Sequence, residues 1–206
     1  MTEKTKVAII YYSSTGTTAE VARELNEAAL GAGAEVRLRK VPELAPMSAI
    51  EANPAWAENH LTTAGVPEAT PADVEWADVV LFGTPTRFGN VSAQLKQFMD
   101  TLGGLWAAGQ LADKVYSGFV SSSSLHGGQE TTLQSLYTSV HHFGGVLVAP
   151  GFTDPIKFDD GNPYGTSHVD GQGTRPVDDV TRASAKHQAR RVIDIARRLN
   201  AGRALA

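Results

Sequence analysis

At 206 residues with 42% hydrophobic side chains, the chain is long enough to build one domain around a core, and wholesale disorder is excluded. Its 18 basic and 22 acidic residues leave a formal net charge of −4, without the basic stripe that a nucleic-acid footprint requires. There is no cysteine, which excludes disulfides, thiolate metal sites and cysteine nucleophiles, so any redox chemistry must be carried by a cofactor.

The opening Met1–Lys6 leads into a short apolar run with no small-residue cleavage pattern. No stretch approaches the roughly 18 apolar residues of a membrane span. A cytoplasmic protein is expected, with no membrane partner, no nucleic-acid partner and no metal site. Val7–Tyr12 is continuously apolar and predicts a strand buried on both faces, as in a parallel sheet. Val21, Leu25, Ala28 and Ala29 then recur at helical spacing, and Gly31 and Gly33 stop that helix. Glu35–Val41 alternates charged and apolar residues, as an edge strand does. Val79–Thr84 is a second fully buried run, and Val91, Leu95, Phe98, Met99 and Leu102 mark the face of the helix after it. Val115–Ser121 predicts a fourth strand, followed by a helix carrying Leu133, Leu136, Tyr137 and Val140 that Gly144-Gly145 ends. Val146–Pro150 predicts a fifth strand. A closing helix covers roughly 178–200, with Ala189, Val192, Ala196 and Leu199 inward. Its basic residues, Arg182, Lys186, Arg190, Arg191, Arg197, Arg198 and Arg203, read as a solvated face.

Alternating strands and helices make βαβ units: an α/β three-layer sandwich, with a five-stranded parallel sheet of order 2-1-3-4-5 and helices on both faces. The chain reads as a single domain over residues 1–206. Two segments exceed that minimal plan: proline-rich residues 42–75 and polar, glycine-rich residues 151–177. Long loops in compact domains are usually functional, so subunit contacts or an active-site rim are expected there, with flexible linkers as the alternative.

In an open sheet of this order, ligands lie past the carboxyl ends of the strands where the order reverses. Three loops meet there. Ser13, Ser14, Thr15, Gly16, Thr17 and Thr18 join the first strand to a helix N-terminus, whose free N–H groups and partial positive charge suit an anion. The loop has no lysine, as a nucleoside triphosphate loop would, and lacks the three spaced glycines of a pyrophosphate site. A single phosphomonoester remains. The second loop holds Pro85, Thr86, Arg87, Phe88, Gly89 and Asn90; Arg87 can balance negative charge and Phe88 can flank a planar ligand. The third holds Ser122, Ser123, Ser124, Leu125, His126 and Gly127, small residues against which a flat ring can lie. Trp106, past the third helix, reads either as a core residue, as tryptophan more often is, or, on a turn made by its flanking glycines, as one able to reach a neighbour's pocket. Of the adjacent His141 and His142, at most one can face a site.

The segments Gly83–Asn90, Gly103–Trp106, Gly127–Glu130 and Pro163–Gly165 resemble the tryptophan-repressor-binding protein (WrbA) family of type IV NAD(P)H:quinone oxidoreductases, along nearly the whole chain. The resemblance implies a flavodoxin-like fold, non-covalent FMN, and a homotetramer (a dimer of dimers) whose sites are completed by neighbouring subunits. It places the FMN phosphate on Ser13–Thr18 and the ring on Thr86, Arg87 and Phe88 and on Ser122–Gly127. It also puts a flavin contact at His142 and the substrate-facing aromatic at Trp106. Thr15 stands where the family often has an aromatic beside the nicotinamide. The implied activity is two-electron reduction of a quinone to a hydroquinone, with NADH or NADPH as donor and a ping-pong hydride mechanism; no side-chain acid is certain, and His142 is a candidate. The competing readings are an electron carrier without turnover, a scaffold that merely keeps the fold, and a related azo-dye or FMN reductase.

Overall fold

In the computed structural model, residues 4–203 are described. Six strands and nine helices alternate among them. They run β1 (Lys6–Tyr11), α1 (Thr17–Gly31), β2 (Glu35–Lys40), α2 (Met47–Glu51), α3 (Pro54–Thr62), α4 (Pro71–Trp76) and β3 (Val79–Pro85). There follow α5 (Ala93–Asp100), α6 (Gly103–Ala107), β4 (Val115–Ser122), α7 (Gln129–Phe143), β5 (Val146–Leu147), α8 (Ile156–Asp160), β6 (Thr166–Val169) and α9 (Asp179–Arg203).

The sheet is parallel, in the order β2-β1-β3-β4-β5. Successive side chains on a strand point to opposite faces, so each central strand feeds two cores. Val7, Ile9, Leu81 and Phe119 pack with Leu25 of α1 and Val192 and Ile193 of α9 on one face. Ala8, Ile10, Val80 and Phe82 pack with Leu95, Phe98 and Leu136 on the other. Burial on both faces is why β1 and the first half of β3 read as unbroken apolar runs, whereas β2, half-buried for most of its length, alternates; β4 is equally buried but fills several positions with serine and glycine. Of the four inward positions expected on the closing helix, Ala189, Val192 and Ala196 are buried, and Leu199 packs partly exposed against the same cluster.

The far edge differs from the expected single fifth strand. β5 keeps only two residues, paired with Val115 and Tyr116, and β6 pairs with Phe119–Ser122 further along the same strand. The chain leaves β4 near Pro150, which has no N–H to offer a ladder, and returns sixteen residues later. The segment expected to be only polar and turn-rich thus supplies a sixth strand. Its return depends on Gly165, where an added Cβ would sit 2.2 Å from the Gly118 carbonyl oxygen. The excursion is pinned by Lys157, which is fully buried. Its ammonium pairs with Asp160 and donates to Ser184 Oγ at 3.0 Å. Burial draws the lysine below its ordinary pKa and pushes the aspartic acid above its own, while each partner opposes the other's shift.

Residues 42–75 are also ordered rather than looped. They hold three short helices, two of which begin Asn53-Pro54 and Thr70-Pro71, a cap residue followed by proline in the first turn.

Candidate functional site

Where β1, β3 and β4 end, their loops enclose a polar cavity of about 410 Å3, within the usual size of small-molecule sites. Ser13, Ser14, Thr15, Thr17 and Thr18 line one side at the start of α1. Gly16, with φ +103°, makes the bend that lets the chain enter the helix and accepts the first helical bond from Glu20 at 2.9 Å. The loop is braced at both ends. Ser13 Oγ accepts from the Gly16 N–H at 3.2 Å, and the Thr18 hydroxyl meets Ser121 Oγ at 2.8 Å.

Pro85, Thr86 and Arg87 line a second side. Thr86 Oγ1 donates to the Gly127 carbonyl at 3.0 Å and accepts from the Gly89 N–H at 3.2 Å and the Thr132 hydroxyl at 2.8 Å, so one hydroxyl joins the second and third loops. The Arg87 guanidinium reaches Ser14 Oγ at 3.3 Å on the exposed rim. Arg87 and Asn90 exchange main-chain bonds of 2.8 and 3.0 Å around Phe88 and Gly89, with φ +54° and +78°. This is the two-residue turn whose centre favours glycine or asparagine. A phenylalanine held there costs about 1–2 kcal/mol. Its ring is fully exposed and lines no wall of this cavity.

Ser122, Ser123, Ser124 and Gly127 complete the third side, while Leu125 and His126 turn outward to solvent. The second and third loops pack backbone to backbone: a Cβ on Gly128 would lie 3.0 Å from the Gly89 Cα. Asn90 and Gly89 thus support the pocket instead of lining it.

Trp106 and His142 lie elsewhere. α7 starts beside the pocket and runs back for fifteen residues, which carries His142 about 20 Å away at roughly 1.5 Å per residue. Trp106 sits on α6, a short helix where a turn was expected, anchored by buried Leu102 before it and Leu111 after it. It is 58% exposed, and its indole N–H donates to the His142 carbonyl at 2.9 Å. The two residues are therefore neighbours of each other and not of this chain's own cavity.

Four residues complete the walls without having been expected there. Ser121 is the penultimate residue of β4, and Asn53 and Trp56 come from α3 and its cap. Asp170 follows β6; its carboxylate accepts from the Thr17 hydroxyl at 3.0 Å and from the Gln172 N–H at 2.9 Å. Trp56 is fixed by Glu43, whose Oε2 accepts its indole N–H at 3.1 Å and the Tyr12 hydroxyl at 2.8 Å. Gln94 donates to Oε1 of the same carboxylate at 2.8 Å. Burial raises the Glu43 pKa, but the donors from Ala45, Gln94, Tyr12 and Leu44 outweigh it and hold the group below the ordinary glutamate value. The Tyr12 phenol is pushed well above its usual range, first by burial and then by that carboxylate.

An open parallel sheet of this order, with a hydroxyl-rich polar pocket at its switch point, defines a flavodoxin-like α/β protein. Comparison with known proteins narrows the class. The family profile described as NADPH-dependent FMN reductase matches residues 5–155. A protein of Deinococcus radiodurans named NAD(P)H dehydrogenase (quinone) is 50% identical over 200 residues, covering 97% of this chain and 99% of the relative. A protein of the same name from Paracoccus denitrificans is 40% identical, covering 97% of each. The solved structure of a flavodoxin, WrbA-like protein from Agrobacterium tumefaciens superposes with a TM-score of 0.68 at 23% identity, covering 95% of this chain and 99% of its own. The chain belongs to the NADPH-dependent FMN reductase family, among oxidoreductases similar to NAD(P)H dehydrogenase (quinone).

Proposed function

We propose that this protein is an FMN-dependent NAD(P)H:quinone oxidoreductase that works in the cytoplasm, where its reduced nicotinamide donor is held. The observation that carries the reading is the lysine-free cradle of hydroxyls and helix-start N–H groups at the switch point, with walls of small residues. These residues fit FMN. Ser13, Ser14, Thr15, Thr17 and Thr18 offer donors to one phosphate at the positive end of α1. Arg87 adds a cation on the rim, and the Asp170 carboxylate is placed to accept from sugar-alcohol hydroxyls. The Pro85–Thr86 and Ser122–Gly127 segments give flat, close-approaching backbone for a planar ring.

Bound FMN supplies the electron-carrying ring; the protein supplies its seat and the shape of the open face. Nicotinamide and quinone then use that face in turn. Trp56, locked by Glu43, forms a fixed aromatic rim beside Thr15, where the family more often carries an aromatic side chain. Trp106 and His142, remote from their own cavity, are presented outward so that neighbouring chains in a homotetramer, a dimer of dimers, complete one another's sites.

Steady-state kinetics with NADH and benzoquinone test the reading. Sequential use of one face gives parallel double-reciprocal lines, while intersecting lines contradict it. Light scattering tests the assembly: four chain masses are expected, and a monomer with full turnover contradicts a shared site.

A further inference from the structure

The loop that cradles the anion is fastened from behind by a residue of the helical segment inserted between β2 and β3. Asn59 of α3 donates through Nδ2 to the carbonyl of Ser13 at 2.8 Å and to that of Ser14 at 3.0 Å. A planar trans peptide points its C=O and the following N–H in opposite directions. Fixing these two carbonyls away from the cavity therefore turns the N–H groups of Ser14 and Thr15 towards it. Among the described residues no acceptor takes either N–H. Asn59 is 6% exposed and lines the ground behind the loop, not the cavity.

Stability alone does not account for this side chain. Its Oδ1 is buried without a hydrogen-bond partner among the described residues, an arrangement that costs stability. The oxygen faces Gly16, where an added Cβ would come within 3.7 Å of it. α3 is itself rigidly held. Asn53 Oδ1 caps it through the N–H groups of Ala55 and Trp56, and the Trp56 indole is bound to Glu43. Glu43 also holds Tyr12, the residue just before the loop. Loop and clamp thus share one support.

We propose that Asn59 is a positioning residue that presets the main-chain donors of the phosphate loop and so gives the site its preference for phosphorylated flavin over riboflavin. The inference rests on the FMN reading above. Donors aimed before binding need no reorganisation when the dianion arrives. Inserted helices that look dispensable to the sheet would then serve the cofactor.

The test is titration of the full-length apoprotein with FMN and with riboflavin, following flavin fluorescence, for wild type, Asn59→Ala and Asn59→Ser. Asn59→Ala is expected to lose FMN affinity by about tenfold to a hundredfold, since misaimed donors to a charged group are affected, while riboflavin affinity stays within about threefold. Equal losses for both flavins, or an unchanged ratio, overturn the positioning role. Asn59→Ser, too short to reach both carbonyls, decides the matter by the same ratio if the alanine variant does not fold. A wild type that binds neither flavin overturns the FMN reading itself, and the positioning role with it. Tight wild-type FMN binding with an unchanged ratio in the variants overturns the positioning role alone.

Discussion

Replacing Thr86 by valine keeps the shape of the side chain and removes the one hydroxyl that joins the second and third loops. Three hydrogen bonds end at that oxygen, to the Gly127 carbonyl, the Gly89 N–H and the Thr132 hydroxyl. At about 1 kcal/mol net for each, reduced because Thr86 is only half-buried, the loss is about 2 kcal/mol. Valine also leaves the Gly89 N–H and Gly127 C=O to find water. For a chain of this length, about 2 kcal/mol lowers the thermal midpoint by about 4–8 °C. Thr86 also lines the cavity, so the loosened loops should weaken FMN binding by about tenfold, equivalent to about 1.4 kcal/mol. Circular-dichroism melting and flavin titration of Thr86→Val and Thr86→Ser measure both effects, with serine retaining most of each. A valine variant that melts within about 1 °C of wild type and binds FMN normally would refute the reasoning, because the loops would then be held by backbone packing alone.

Removing one partner of the buried Lys157–Asp160 pair should be far costlier than removing both. Lys157→Met and Asp160→Asn are each expected to lose about 3–5 kcal/mol, with Lys157→Met/Asp160→Leu close to wild type. Chemical denaturation of the three variants checks this, and additive losses in the double variant would contradict it. The depressed pKa of Glu43 means its ionised form stabilises the fold at neutral pH. That contribution is complete above the ordinary value of 4.5 and is lost as pH falls through the lower folded-state value. The thermal-midpoint gap between wild type and Glu43→Gln should therefore narrow between pH 7 and pH 3; a constant gap would mean that the charge contributes nothing.

The layered fold was legible because it rests on burial. β1, β3 and β4 are sandwiched between helices, so their inward positions are apolar runs or small buried residues, and the runs Val7–Tyr11 and Val79–Phe82 show that directly in the sequence. β6 was not legible for the opposite reason. Thr166-Ser167-His168-Val169 is short and mostly polar, and its burial is satisfied by specific bonds: the Thr166 N–H to Gln188 Oε1 at 2.8 Å, and His168 Nδ1 to the Thr181 hydroxyl at 2.9 Å. Hydrophobic periodicity carries no trace of such pairing.

The site divides in the same way. The hydroxyl loop announced itself by composition after a buried strand, and five of its six expected residues line the cavity. Asp170 and Asn59 did not, since each acts through contacts across more than forty residues of sequence, with Thr17 and with the carbonyls of Ser13 and Ser14, and Trp56 did not because it is tied to Tyr12 only through Glu43. The dipeptides Asn53-Pro54 and Thr70-Pro71 were available as helix starts and would have converted the proline-rich segment into helices. Nothing in the local pattern says which residues such helices bring to the loop. Trp106 and His142 show the limit from the other side: their motifs are recognisable, yet one chain keeps them apart from its cavity.

The most direct measurement is the visible spectrum of the purified protein after incubation with FMN and removal of free flavin. The account predicts a yellow protein that bleaches when NADH or NADPH is added without oxygen and recovers its colour on addition of benzoquinone. Flavin that washes away, or colour that persists in the presence of both nicotinamides, would contradict it.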